Sequence, residues 1–208
     1  MLSWYLPAAP AILLGACNWL GLTSEYIDFN NESDNWAKLV ADKNPKLLAL
    51  SIFSYKSQQY AEQLATEIKL LNPNIKIIIG GSGIRTSING SLEYVEKLLA
   101  NTVIDYYIDG DAEQQWPMFL NKFFNLTKPV NYTDLTTPYL PDYSKYKVNW
   151  HREAASNLNL APHVPITGSR GCIRRCTFCE IHQHWDYAQR PPTSIVAEIR
   201  HILAVIPD

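Results

Sequence analysis

Between residues 8 and 125, short runs of Ile, Leu, Val and Tyr alternate with longer stretches in which apolar residues return every three or four positions. The short runs are "SEYIDFN" (24–30), "KLLALSIFS" (46–54), "IKIIIGG" (75–81) and "VIDYYIDG" (103–110), two of them ending at glycine. Apolar residues in unbroken succession, rather than in strict alternation, mark strands covered on both faces, as in a parallel sheet. The longer stretches, "APAILLGACNWLGL", "ESDNWAKLVADK", "SQQYAEQLATEIKLL", "SLEYVEKLLA" and "EQQWPMFLNKFF", predict amphipathic helices. Ser91 stands where the fourth would take its N-cap, and Trp116, Phe119, Phe123 and Phe124 form the core face of the last. Strands that alternate with helices predict an α/β unit: a parallel sheet with helices on both faces.

The layout is that of a flavodoxin-like doubly wound sheet. Its first strand is either the short "LSWYL" at 2–6 or absent. In the strand order 2-1-3-4-5 the first strand lies in the middle of the sheet, so a chain lacking it would expose two edges. From 126 to 162 the composition turns to Pro, Asn, Tyr and Thr without a sustained period, which reads as a linker draped over a surface. A new unit is expected from 163: "HVPITGSRG" as a strand ending in a glycine turn, then a cysteine-bearing loop. "PPTSIVAEIRHILAVI" follows as a helix, with Thr193 or Ser194 as cap and Glu198 closing a capping box. The expected organisation is therefore 1–125, a linker 126–162, and 163–208.

Composition adds exclusions. The 208 residues carry a net charge of −2, with 47% hydrophobic and 12% aromatic residues, enough for one ordinary core and part of a second. So balanced a charge gives no footprint for nucleic acid or for an anionic membrane. "PAAPAILLGAC" ends like a bacterial lipoprotein cleavage box at Cys17, but no Lys or Arg precedes Lys38, and Pro7 and Pro10 interrupt an apolar run too short to span a membrane. Cys17 is read as a small core residue and the protein as cytoplasmic. There thiols stay reduced and clustered cysteines more often hold metal than form disulfides.

The candidate chemistry lies in "SRGCIRRCTFCEIH" (169–182), where Cys172, Cys176 and Cys179 fall within eight positions and Arg170, Arg174, Arg175 and Arg190 surround them. A cubane iron-sulfur cluster has four irons, each needing a terminal ligand, and thiolates are the preferred donors. Three cysteines leave one iron open to a substrate or cofactor. A structural zinc site is the alternative, with His182 or His184 as the fourth ligand.

The spacing CxxxCxxC, the lead-in "SRGC" and the aromatic Phe178 before the third cysteine resemble the signature of the radical S-adenosylmethionine (SAM) enzymes. The resemblance implies a partial (βα)6 barrel whose first strand, loop and helix these residues form, with a [4Fe-4S] cluster on Cys172, Cys176 and Cys179. It implies SAM on the open iron with Phe178 beside it, and an electron donor such as flavodoxin or ferredoxin. Reductive cleavage of SAM would then start radical chemistry on a small-molecule or otherwise unidentified substrate. The N-terminal region resembles the cobalamin-binding domain that often precedes such a barrel. Ser51 follows its third strand, Gly80 and Gly81 end the next, Gly110 lies in "DGDAE" (109–113), and "LPDYSKY" (140–146) is similar to the joining segment. That resemblance implies cobalamin as a further cofactor and methyl transfer as one outcome. It departs from the pattern in three places: no histidine precedes His151, "GGSGIR" lacks the usual Pro-His pair, and Asp111 replaces a glutamate. Any bound cobalamin would lack a histidine ligand from this domain. The alternative for Gly80, Gly81 and Gly110 is that they are turn residues with no ligand. The barrel's later strands would lie beyond Asp208, so the chain is expected to be a fragment. The competing reading of the whole is a non-catalytic α/β binding module stapled by zinc.

Overall fold

The computed structural model describes residues 6–28, 35–85, 90–160, 163–179, 181 and 186–206, with the side chain of Trp150 left aside. Packing sorts the chain into two compact units: Glu32–Ala112, and Met1–Asn31 together with Glu113–Asp208. This grouping differs from the boundaries that composition suggests, because the first helix packs with residues after 112.

The Glu32–Ala112 unit is α/β. Strands β1 (Leu47–Ser51), β2 (Lys76–Gly80) and β3 (Tyr106–Ile108) form a parallel sheet in the order β1-β2-β3. Leu47 pairs with Lys76, Ser51 with Gly80, and Gly80 with Ile108. Ile77, Ile78 and Ile79 of the central strand are all buried, as its unbroken apolar run predicts. Burying one such side chain contributes about 1.5–3 kcal/mol. The crossovers run through α3 (Gln58–Leu71) and α4 (Glu93–Ala100), and α2 (Trp36–Lys43) packs on α3. Each helix buries a pair at three-residue spacing: Ala37 and Val40, Ala65 and Ile68, Val95 and Leu98. Asn35 caps α2 by accepting the Lys38 amide at 3.0 Å, and Asn44 ends it at φ +46. At the start of the sheet Asp105 accepts from Lys69 (2.6 Å), Lys76 (2.7 Å) and the Ile77 amide (2.9 Å). Burial works against this carboxylate, yet the three donors outweigh it and hold its pKa below the usual value.

Two expected strands differ. Ser24–Asp28 of "SEYIDFN" is not strand and the rest lies outside the described residues. Of "LSWYL" only Leu6 is described; it is in no strand, and its amide donates to the His163 carbonyl at 3.4 Å. Among the described residues, no strand pairs with the outer edge of β1. Ser91 does not cap α4, which starts at Glu93 with no side-chain cap; Glu93 and Glu96 in its first turn complement the helix dipole instead.

The second unit holds α1 (Ala8–Trp19), α5 (Ala112–Phe123, from its second residue), α6 (Val148–Asn157) and α7 (Pro192–Val205). A two-residue antiparallel ladder joins β4 (Ser169–Arg170) to β5 (Ala188–Gln189). Its core includes Leu6, Ala11, Leu14, Tyr143, Tyr146 and Ile202. The stretch expected as a draped linker is built into this core and contains α6. "LPDY" lies directly on α1: a Cβ at Gly15 would fall on the Leu140 carbonyl oxygen, with Pro141 Cα at 3.2 Å. The Asp142 amide donates to the Ala11 carbonyl at 2.8 Å, and Asn18 Nδ2 to Asp142 Oδ2 at 2.6 Å. Tyr143 and Tyr146 are buried, the latter stacked on Tyr26 at 4.5 Å and donating to the Pro7 carbonyl at 2.7 Å. Aromatic bulk, not periodicity, makes this segment core, and a period-based reading passes over it. In α5, Trp116 is buried and stacks on Phe119, and Phe119 on Phe123. Cys17 is buried, and burial raises its pKa. Among the described residues no helix is long and apolar enough to cross a membrane.

Candidate metal centre: the cysteine loop

Between β4 and β5 the chain makes a long excursion that carries the three clustered cysteines. It opens at Gly171, whose φ of +76 lies in the left-handed region that favours glycine. The Cys172 sulfur accepts the Arg174 amide at 3.4 Å, and the Cys179 amide donates to the Cys176 carbonyl at 3.1 Å, a turn that brings the last two cysteines onto one bend. All three are free thiols. They are the partly buried positions of the segment 172–179, whereas Ile173, Arg174, Arg175, Thr177 and Phe178 are all exposed. Phe178, expected beside SAM, is 89% exposed.

The arginines around the loop divide into two kinds. Arg174 and Arg175 are exposed on the loop itself. Arg170 forks both Nη atoms onto the Glu113 carboxylate, and Arg190 Nη1 meets Glu198 Oε2 at 2.5 Å. Arg190 also donates to the Thr167 carbonyl (3.0 Å) and to Ser194 Oγ (2.9 Å), while its amide donates to the Gly168 carbonyl (2.9 Å). This corrects the expected capping box on α7. The helix begins at Pro192 with no side-chain cap, because Ser194 and Glu198 are turned to Arg190. Proline at that position needs no partner for the amide it lacks. Glu113 and Glu198 were not recognisable as partners from the sequence. The available signal was Glu198's place at three- and four-residue spacing between Ile195 and Ile202, an acidic residue on an apolar stripe.

As a donor set, three reduced thiols on one loop fit the irons of an iron-sulfur cluster. Among the described residues no three His, Cys, Asp or Glu side chains are gathered closely enough to hold a metal ion, so the thiols share a loop but are not drawn together. His182 and His184, the zinc alternative's fourth ligands, lie outside the described residues.

The other predicted group does converge. Ser51, Gly80, Gly81 and Gly110 lie at the carboxyl ends of the three parallel strands, with Ser51 exposed and in register with Gly80. The glycines, however, have reasons within the fold. A Cβ at Gly80 would sit 3.3 Å from the Ile108 oxygen, and one at Gly81 (φ +100) 2.6 Å from the Ile52 oxygen. Gly83, absent from the sequence-derived set, would meet the Ser54 amide nitrogen at 2.5 Å. Gly83 N donates to Ile52 O (2.8 Å), Ser82 Oγ to Phe53 O (2.8 Å), and Gln58 Nε2 to Gly83 O (2.7 Å). Arg85 pairs with Asp109 beside Gly110. The backbone of 52–54 thus lies against Gly81 and Gly83, where a flat ligand would need to rest. These two residues do not fit a cobalamin cradle.

Neither the protein-family models nor the curated proteins compared with the chain give a match.

Proposed function

We propose that Cys172, Cys176 and Cys179 bind a [4Fe-4S] cluster and that the chain provides the cluster-binding portion of a radical SAM enzyme. The observation that carries this reading is the loop's pattern of exposure: the three thiols are its partly buried positions, and every residue between them is exposed. A tetrahedral zinc site takes four protein ligands, and three thiols satisfy three of four irons with one left for a cofactor. When bound, the cluster supplies the electron that breaks a carbon–sulfur bond of SAM. The protein's own residues do the rest. The thiolates bind iron, and the Arg174 amide, already donating to the Cys172 sulfur, stabilises negative charge there; hydrogen bonds to sulfur are among the terms that set a cluster's potential. Phe178 and Ile173, now exposed, are available to shield the open iron from water. The sheet's sequential order β1-β2-β3 supports a flavodoxin-like unit, since it is the half of that layout lying beyond its middle strand. No step is assigned to cobalamin.

The test is iron, sulfide and zinc content after anaerobic reconstitution of the wild type and Cys176→Ala. About four irons per chain, lost in the variant, is the expected result. One zinc per chain without iron would overturn the reading in favour of a zinc-stapled binding module.

A further inference from the structure

The cysteine excursion is closed by a ladder of only two residue pairs, Ser169 with Gln189 and Arg170 with Ala188. A ladder that short is marginal by itself, so something else must hold the mouth of the loop shut. The structure offers two ion pairs, one on each flank. Arg170, two residues before Cys172, grips Glu113 of α5 with both Nη atoms. Arg190, just after β5, pairs with Glu198 of α7 and also ties itself to Thr167 and Ser194. The partners are largely withdrawn from solvent: the side chains are 22% and 17% exposed in the first pair, 10% and 6% in the second. A cavity of about 20 Å³, room for a single water, is lined by all four side chains, so the two pairs form one cluster. Bidentate, partly buried arginine–carboxylate pairs hold geometry far better than exposed ones.

We propose that Arg170 and Arg190 are positioning residues: with Glu113 and Glu198 they clamp both ends of the cysteine loop and so set how firmly its three thiols hold a cluster. The proposal rests on the iron-sulfur reading above. It gives these arginines a mechanical role, unlike the exposed Arg174 and Arg175. Release of either flank frees the neck, widens the distribution of Sγ positions and speeds cluster loss, as removal of residues that orient metal ligands generally does.

The test uses the full chain reconstituted with iron and sulfide, in the wild type and in Arg170→Gln, Glu113→Gln, the double variant and Arg190→Lys. Two quantities are read: iron release to a chelator, and hydrogen exchange of the Arg190 amide that bonds Gly168 O. The expected result is release about tenfold faster in each single variant. The double variant, Arg170→Gln with Glu113→Gln, should be no faster than either of its singles, a further variant Arg170→Lys should recover part of the retention, and exchange at the residue 190 amide should rise in step. If the wild type takes up four irons and the variants release them at its rate, the clamp is overturned and the cluster reading stands. If the wild type takes up no iron, the cluster reading falls. Exchange at Arg190 then decides the clamp alone: unchanged protection in Arg170→Gln and Arg190→Lys removes it.

Discussion

Replacing Gly15 with alanine sets two well-known effects against each other. Gly15 is in the interior of α1, where Ala is favoured over Gly by about 1 kcal/mol. Helix propensity alone therefore predicts stabilisation. Against it stands the added Cβ, which would fall on the Leu140 carbonyl oxygen, 3.0 Å from the Leu140 carbonyl carbon and 3.2 Å from Pro141 Cα. The overlap with the oxygen is the tightest of these and sets the requirement: to restore ordinary contact, α1 and the 140–143 segment must part by about 1–1.5 Å. Both are backbone, and no rotamer change relieves the overlap. Parting them stretches the 2.8 Å bond from the Asp142 amide to Ala11 and the 2.6 Å bond from Asn18 to Asp142. Losing two bonds of this kind costs about 1–3 kcal/mol each at buried positions. The net expectation is a loss of about 1–5 kcal/mol once the propensity gain is subtracted. In urea the unfolding midpoint should fall at unchanged slope, and the melting temperature should drop by about 2–4 °C per kcal/mol. A variant more stable than the wild type by the propensity increment would refute the reasoning, since it would mean the segment does not rest on α1.

In the sheet unit, Gly83→Ala should destabilise by about 1–3 kcal/mol, because the Cβ meets the Ser54 backbone at 2.5 Å; a chemical-denaturation midpoint at the wild-type value would contradict it. Asp105 has its pKa lowered in the folded state, so its contribution is present above the ordinary carboxylate range and lost as pH falls through it. Asp105→Asn should cost about 1–3 kcal/mol at neutral pH and flatten the acid limb of the stability curve, and an unchanged acid limb would count against the network. Tyr26, Tyr139, Tyr143 and Tyr146 all have raised pKa values, from burial first and then from Asp28, Glu113, Glu198 and neighbouring tyrosines. The unfolded phenols ionise near pH ~10, so stability is full below that pH and falls above it. Tyrosinate absorbance should appear together with loss of circular dichroism; phenols that ionise at about pH 10 in a chain still folded would contradict the burial.

Where a side chain's role is set by its near neighbours in sequence, it could be read directly. The isoleucine run of β2, the three-residue pairs on α2, α3 and α4, and the glycines ending the strands are of this kind. The misses have physical causes. "SEYIDFN" has strand composition, but Tyr26 and Asp28 face Tyr146 and His151 within a helical core; tertiary contacts override a propensity that is weak at short range. "LPDYSKY" has no period because its residues are placed one by one against α1. Arg170 and Glu113 are 57 positions apart, and nothing near either residue announces the other.

The pairing of α1 with the 140–146 segment also bears on how the protein is made. Asn18 and Asp142, bonded in the finished structure, are separated by 124 positions, while Glu32–Ala112 holds the whole parallel sheet in one continuous stretch. Synthesis runs from the N-terminus, so the sheet unit can close as soon as residue 112 clears the ribosome. Helix α1, made before that unit, is completed after it. Its apolar residues Ala11 and Leu14 wait for Tyr143 and Tyr146 to emerge, and closing so long a loop carries an entropic cost that grows only slowly with length. Until then the face of α1 remains apolar surface that a segment 124 residues further on has yet to cover.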